Sequence, residues 1–182
     1  MRDIERIDTQ KRQIWFKASG LDADQDPYLI HFCRVDFDGS NLVRLTEANG
    51  NHTIHFSPDE KYLIDSYSRV DAAPATELRR VSDGRLMCEL EKADVSELLD
   101  SDWTYPEVFS AKGRDGKTDI WGFICRPRDF DPNKKYALIE DIYAGPHDSF
   151  VPKSFSPASR YRSYTGRNRD SSMWWWWGRV GF

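Results

Sequence analysis

The chain reads Ile-Glu-Asp-Ile-Tyr-Ala-Gly-Pro-His-Asp-Ser-Phe-Val from residue 139 to residue 151. It enters this stretch through an apolar run, residues 136–143, which is typical of a buried strand. The run ends in Ala-Gly-Pro, where Gly frees the backbone and Pro fixes φ and lacks an N–H donor, so the strand cannot continue. We therefore predict that Tyr143 lies at the carboxyl end of a buried strand. In α/β sheets, ligands bind at the carboxyl ends of the strands.

A hairpin is predicted immediately before that strand. Residues 105–112 and 119–126 have strand composition, and Gly113-Arg114-Asp115-Gly116-Lys117 between them supplies two glycines for a turn. Pro127 and the Asp-Pro-Asn at residues 131–133 then stop the second strand and turn the chain. The predicted order is strand, turn, strand, proline-containing loop and apolar strand.

This order, with its Tyr-Ala-Gly-Pro turn, resembles the dipeptidyl peptidase IV branch of the prolyl oligopeptidase family of serine peptidases. Members carry a β-propeller followed by an α/β-hydrolase domain, and the resemblance covers roughly residues 1–157. In that family the tyrosine of this turn donates its hydroxyl to the oxyanion of the tetrahedral intermediate. The resemblance implies that catalytic role for Tyr143, whereas the alternative is a tyrosine that only ends a strand.

Residues 1–92 are predicted to form two four-stranded propeller blades, over residues 2–47 and 50–92. Short segments rich in β-branched and aromatic residues are separated by Gly, Asp, Asn and Pro. An Arg-Val pair followed by Asp-Gly and Leu begins at Arg34 and again at Arg80. The distance along the chain between these two copies lies within the roughly 40–50 residues that one four-stranded blade occupies. A β-sandwich could also place strands in this way. The predicted strand segments are residues 13–18, 28–35, 42–46, 52–56, 61–67, 76–81 and 85–90.

A turn signal in the second blade supports the propeller. Residues 56–61 read Phe-Ser-Pro-Asp-Glu-Lys, which ends one strand and begins the next. Similar Phe-Ser-Pro-Asp-Gly-Lys turns recur in propellers of the peptidase family, so Glu60 stands where Gly is usual.

The rest of the chain is predicted as a linker, a partial domain and a tail. Residues 93–104 form the linker, with one or two helical turns at 93–99, and residues 105–157 form the start of the α/β-hydrolase domain. Residues 158–182 lack Leu and Ile, contain four successive Trp residues and show no helix or strand period, so this tail is predicted to be irregular, either aberrant or disordered. We hypothesise a shifted reading frame after about residue 159. The alternative is an aromatic anchor for a membrane surface or for nucleic-acid stacking.

Most of the peptidase machinery is missing from the sequence. A serine peptidase needs a nucleophile, a base, an orienting acid and an oxyanion hole, and no Gly-x-Ser-x-Gly nucleophile motif occurs here. His147 lies in the same turn as Tyr143 and is badly placed to act as the base. His31, His52 and His55 are predicted to be sheet residues. Without Ser, Asp and His of a triad, the chain alone is expected to be inactive.

No metal or cofactor site is predicted. Cys33, Cys88 and Cys125 are odd in number, fit no metal-binding spacing and are predicted to be buried free thiols. The net charge of −4 predicts no attraction to nucleic acid, and no apolar run is long enough to span a membrane. The N-terminus lacks a signal-peptide core.

Two functions compete on these observations. The first is a fragment of a dipeptidyl peptidase IV-like serine exopeptidase, which releases Xaa-Pro type dipeptides from the amino termini of peptide substrates. The second is a non-catalytic β-propeller-type module that binds a protein partner. The resemblance implies a longer parent, in a family whose members are often exported or periplasmic and often form homodimers.

Overall fold

The structure, a computed structural model, describes residues 1–101, 103–127, 129–142, 151–157 and 171–176. It divides into two compact units. The first consists of Met1–Arg69 and Ala73–Ala93, and the second of Val70–Ala72 and Asp94–Phe182. In the described part of the chain the single helix has five residues, and no helix is long and apolar enough to cross a membrane.

The first unit begins with a four-stranded antiparallel sheet whose strands lie in chain order. Three of its strands fall within or beside predicted segments, but the first strand was not predicted as one. That strand has a mixed sequence, Ile-Glu-Arg-Ile-Asp, and half of each isoleucine side chain is exposed, so no apolar alternation marks it. The strands are β1 (Ile4–Asp8), β2 (Gln13–Ala18), β3 (His31–Asp36) and β4 (Val43–Arg44).

A second four-stranded sheet follows with the same order, so the prediction of two successive four-stranded sheets is confirmed. Each sheet closes with an Asp-Gly turn before its last strand, and Gly39 and Gly84 both adopt positive φ there. The strands are β5 (Asn51–Phe56), β6 (Tyr62–Arg69), β7 (Ala72–Arg80) and β8 (Leu86–Lys92).

The two sheets share one apolar core. It contains side chains from both, each at most 6% exposed, and burial of this apolar surface is the main force that holds the sheets together. The core residues are Trp15, Phe32, Leu45, Leu63 and Val81.

The second unit contains the predicted hairpin and apolar strand. The unit begins with a short helix, α1 (Ser96–Asp100). Two antiparallel strands follow, β9 (Glu107–Lys112) and β10 (Asp119–Cys125), and the glycine-containing turn joins them. The predicted apolar strand is β11 (Ala137–Ile142).

One strand contradicts the expected tail. Ser171–Trp176 forms β12, which pairs parallel with β11 and antiparallel with β10, so the sheet order is β11-β12-β10-β9. The prediction of an irregular tail is therefore wrong for these six residues. β12 lies between β11 and β10, so its backbone pairs on both sides, and tryptophan favours strands. Residues 158–170 and 177–182 lie outside the described part of the chain.

Candidate functional site

The candidate site lies where the parallel strands of the second unit end. β11 finishes at Ile142, whose Cα partner across the pair is Trp176, the last residue of β12. Because the strands are parallel, their carboxyl ends lie side by side at the same edge of the sheet. Open α/β sheets bind ligands at such an edge.

Tyr143, the predicted catalytic residue, follows β11 directly in the sequence. Tyr143 itself lies outside the described residues, as does His147. The described strand therefore fixes the point at which the chain reaches the predicted turn, and the role of the phenol stays a prediction.

The turn before β10 is held by one carboxylate. Asp115 accepts hydrogen bonds from the backbone N–H groups of Lys117 and Thr118, both at 2.9 Å, and from the Thr118 hydroxyl. These bonds, that of the hydroxyl first, lower the pKa of Asp115 to about 2. The carboxylate therefore stabilises the hairpin that leads into β11.

A second cluster of polar groups lies in the sheet β5–β8. His52 Nδ1 lies 2.8 Å from Asp65 Oδ1, and its Nε2 lies 2.8 Å from the carbonyl oxygen of Ala48. The side chains of His52 and Asp65 are fully buried. Buried charges persist in proteins only when they are paired and hydrogen-bonded.

Further charged and polar side chains lie next to the His52–Asp65 pair. Arg79 donates from Nε to Glu77 Oε2 at 2.9 Å and from Nη1 to the carbonyl oxygen of Gly84 at 2.9 Å, and its Nε lies 3.6 Å from Asp65 Oδ2. Tyr67 donates its hydroxyl to Glu77 Oε1 at 3.0 Å. Burial, and then this bond to the carboxylate, raise the pKa of Tyr67 to about 12. We call His52, Asp65, Glu77, Arg79 and Tyr67 the buried ion network.

His31 in the first sheet lies next to His52. Its Nδ1 accepts a hydrogen bond from Arg44 Nη2 at 3.2 Å, and Arg44 also forms a two-bond pair with Asp22 at 2.8 and 3.0 Å. The rings of His31 and His52 are 4.8 Å apart. Burial, and then the charge of His52, lower the pKa of His31 to about 4, so His31 is uncharged at neutral pH.

The predictions for the histidines and cysteines have mixed outcomes. His31, His52 and His55 all lie in strands, as predicted, with His55 exposed on β5. Cys33 and Cys125 are buried and form no disulfide, but Cys88 is exposed, because every residue of β8, the last strand of the second sheet, is exposed. Among the described residues no group of three or more His, Cys, Asp or Glu is arranged to hold a metal ion.

The buried ion network was not predicted from the sequence. Its fully buried members come from three strands, and each carries its polar group at a position that alternation places on the buried face of the sheet. In β7 the buried positions are Ala75, Glu77 and Arg79. A signal was available in the sequence. The alternation Ala-x-Glu-x-Arg continues in step to the core residue Val81, which indicates that the Glu and the Arg lie on the buried face of the strand.

Comparison with known proteins finds similarity to dipeptidyl peptidases. A model of the dipeptidyl peptidase IV N-terminal region matches residues 1–74. Human dipeptidyl peptidase 8 is 26% identical over 168 residues, which cover 88% of this chain and 18% of that protein. Dipeptidyl-aminopeptidase B of Aspergillus niger is 28% identical over 155 residues, or 82% of this chain and 16% of that protein. The chain thus spans less than a fifth of either relative.

Solved structures show the same fold. Dipeptidyl peptidase 4 of Porphyromonas gingivalis superposes with a TM-score of 0.73 at 20% identity, over 97% of this chain and 24% of that one. A putative dipeptidyl aminopeptidase IV of Bacteroides ovatus gives a TM-score of 0.73 at 21% identity, over 98% and 26%. The resemblance predicted from the sequence is confirmed.

Proposed function

We propose that this chain, a relative of the dipeptidyl peptidase IV branch of the prolyl oligopeptidase family, is part of a serine exopeptidase. In this proposal the peptidase releases Xaa-Pro type dipeptides from the amino termini of peptides. The named relatives are dipeptidyl peptidases, which supports the reaction class. The two four-stranded sheets would be propeller blades, and the sheet β9–β12 would be the start of an α/β-hydrolase domain.

The observation that carries the proposal is the end of β11. Tyr143 follows this strand directly in the sequence, and Ile142, the residue before it, pairs with Trp176 at the carboxyl end of the parallel strand β12. A hydroxyl donor at that edge could stabilise the oxyanion that forms when a nucleophile attacks the peptide carbonyl. We assign that role to Tyr143. The donor acts only if a nucleophile creates the charge, so we expect the chain alone to be inactive.

An activity assay tests the last point. The purified chain is incubated with a Xaa-Pro chromogenic substrate, and release of the chromophore is compared with buffer. We expect no turnover above buffer. Clear turnover that persists after contaminating peptidases have been removed would show that the chain holds a complete set of catalytic residues. It would overturn the proposal that this chain supplies only the oxyanion donor.

The gene offers a second test. We expect a Gly-x-Ser-x-Gly sequence downstream of codon 159, in the same or another reading frame. In a product that includes it, Tyr143→Phe should lower kcat by about 10²–10³. Tyr136→Phe is the matched control, because Tyr136 precedes the opposite end of β11 and its hydroxyl accepts the Asp131 N–H. A gene without such a sequence would favour the alternative function, a protein-binding propeller module.

A further inference from the structure

The segment that joins the two four-stranded sheets contains the one Asn-Gly sequence of the chain, Asn49-Gly50. We call residues 45–50, between β4 and β5, the inter-sheet linker. The linker bends at residues 48–50, and Asn49 is exposed at this bend. In an Asn-Gly sequence the backbone nitrogen of the glycine can attack the asparagine side chain with little hindrance, because glycine has no side chain of its own.

Packing in the second sheet favours glycine at position 50. Gly50 is buried, and a Cβ atom added to it would lie 3.1 Å from Tyr67 Cδ2 and 3.4 Å from the Ser68 carbonyl oxygen. The Gly50 N–H donates no hydrogen bond to any other residue that the structure describes. Its nitrogen can therefore turn toward the Asn49 amide without the loss of a hydrogen bond of the fold.

Three Asp-Gly sequences in the same chain provide a comparison, because an aspartate followed by glycine can close the same ring. In all three the glycine N–H is held by a backbone hydrogen bond that closes a turn. The bonds are Gly39 N–H to Asp36 O (2.9 Å), Gly84 N–H to Arg80 O (2.8 Å) and Gly116 N–H to Gly113 O (2.9 Å). Attack by any of these nitrogens would first break the turn.

The three aspartates are also protected by their ionisation. Ring closure at aspartate needs a neutral carboxyl group, and hydrogen bonds lower the pKa of all three carboxyls. The bond from Arg80 lowers the pKa of Asp83 to about 2. The bond from the Thr118 hydroxyl likewise lowers the pKa of Asp115 to about 2. At neutral pH such a group is protonated in only about one molecule in 10⁵. The Asn49 amide carries no charge to begin with.

We propose that Asn49-Gly50 is a site of spontaneous deamidation, which the fold leaves open while it blocks the same ring closure at the three Asp-Gly turns. The Gly50 nitrogen loses its proton to solvent and forms a bond to Asn49 Cγ. The bond from Cγ to the amide nitrogen breaks, and that nitrogen takes up a proton and leaves as ammonia. The product is a five-membered succinimide ring.

Water opens this ring in two ways. Addition of water at Cγ breaks the bond from Cγ to the Gly50 nitrogen and leaves aspartate at position 49. Addition at the main-chain carbonyl carbon breaks the other ring bond to that nitrogen and leaves isoaspartate, whose backbone runs through the former side chain. Either product adds one negative charge to the inter-sheet linker.

The isoaspartate product would loosen the linker. The Ala48 carbonyl oxygen lies 2.8 Å from His52 Nε2, and the Asn49 carbonyl oxygen accepts a hydrogen bond from Arg69 Nη1 at 3.3 Å. Isoaspartate lengthens the backbone before Gly50 by one methylene carbon and turns the Asn49 carbonyl into a side group. The longer backbone cannot keep both contacts and the packing of Gly50. The thermal midpoint of unfolding should therefore fall by roughly 2–6 °C, as for the loss of one hydrogen bond.

The test is to age the full purified chain at mildly alkaline pH, in buffer and in denaturant. Each sample is then digested and analysed by mass spectrometry with a fragmentation method that distinguishes isoaspartate from aspartate. In the folded chain we expect both products at position 49 and almost no isoaspartate at the Asp-Gly turns. In denaturant the turn bonds and the lowered pKa values are lost, so the ratio of modification at Asn49 to that at the Asp-Gly turns should fall by about tenfold or more.

Controls within the chain and one variant make the test specific. Asn41 and Asn133 should stay unmodified, because they precede Leu42 and Lys134, whose side chains hinder the attack. Asn49→Gln would have to close a six-membered ring, so it should neither react nor lose thermal midpoint on ageing. The proposal would be overturned by an unmodified Asn49 in the folded chain, by a ratio that denaturation leaves unchanged, or by an equal fall in midpoint in aged Asn49→Gln. The mass measurement on the wild type decides the matter even if Asn49→Gln does not fold.

Discussion

Gly84 lies so close to Arg44 that a Cβ atom added to the glycine would be 2.2 Å from the arginine carbonyl oxygen. Gly84 belongs to the Asp-Gly turn between β7 and β8, whereas Arg44 ends β4, so the two sheets meet here backbone to backbone. Its φ of +71° is also one that L-residues with a side chain rarely adopt. Glycine is therefore required for two separate reasons.

Replacement of Gly84 by alanine should destabilise the chain strongly. We expect a loss of about 2–4 kcal/mol in the free energy of unfolding, from positive-φ strain and from a contact with backbone that cannot move aside cheaply. Denaturant unfolding measures it.

Gly39 provides a matched control, because it is the equivalent glycine of the first Asp-Gly turn. Its φ is +85°, but a Cβ there would meet nothing within 4 Å. Gly39→Ala should cost only the strain, about 1 kcal/mol. Equal losses in the two variants would show that the close approach of the sheets at Gly84 is unimportant.

Glu60 occupies a backbone conformation suited to glycine, with φ of +57°. This explains physically why the resembling turns of the family carry Gly at that position. Glu60 also forms an ion pair with Arg6 of β1, but both side chains are about one-third exposed, so the pair contributes little. Glu60→Gly should be more stable than Glu60→Ala by about 1 kcal/mol, since both lose the ion pair and only alanine keeps the strain. Thermal unfolding of the two variants side by side tests this, and an alanine variant as stable as the glycine variant would contradict it.

The repeats of the first unit could be predicted because their signals are local. β2 has the predicted bounds, residues 13–18, and the Asp-Gly turns at Gly39 and Gly84 lie where the sequence pattern placed them. β1 was missed because an exposed strand needs no apolar alternation. β12 was missed because its place is set by pairing with β10 and β11, which are distant in sequence.

The buried charges could not be predicted for a similar reason. Asp65 and Arg79 read as ordinary surface residues, and only the pairing of β6 with its neighbours brings their partners to them. For Tyr143 the sequence predicts a position at a strand end, because Ala-Gly-Pro follows it; β11 ends at Ile142, and Tyr143 itself lies outside the described residues.

His31 should make the protein sensitive to acid. Its pKa is lowered to about 4, chiefly by burial, so the folded chain binds this proton less readily than the unfolded chain does. The neutral form contributes stability that is complete above about pH 6.5 and is lost as the pH falls toward 4, roughly 1–3 kcal/mol.

The measurement is the free energy of unfolding between pH 7 and pH 4 for the wild type and for His31→Gln, which keeps an acceptor for Arg44 but does not titrate. Carboxylates titrate alike in both proteins, so the difference between the curves isolates His31. We expect the variant to lose less stability on acidification. Parallel curves would rule out the predicted contribution of His31.

Glu77 should be the costliest single member of the buried ion network to remove. It accepts bonds from Arg79 Nε and Nη2 and from the Tyr67 hydroxyl, and the Arg79 side chain is only 4% exposed. Glu77→Ala leaves this buried guanidinium with Asp65 at 3.6 Å and the exposed Glu47 at 3.3 Å. Removal of one partner of a buried ion pair costs about 3–5 kcal/mol, because the remaining charge is left without compensation.

Two further variants show whether charge or packing causes that loss. Tyr67→Phe deletes one bond to the same carboxylate but no charge, and should cost only about 1–2 kcal/mol in the free energy of unfolding. Glu77→Gln keeps the volume and one acceptor oxygen but removes the charge. Its loss in the free energy of unfolding should therefore be closer to that of Glu77→Ala than to that of Tyr67→Phe. If Glu77→Gln were instead as stable as the wild type, the charge of Glu77 would not be needed to hold Arg79 in the sheet, and the remaining contacts of Arg79 with Asp65, Glu47 and the Gly84 carbonyl oxygen would be sufficient.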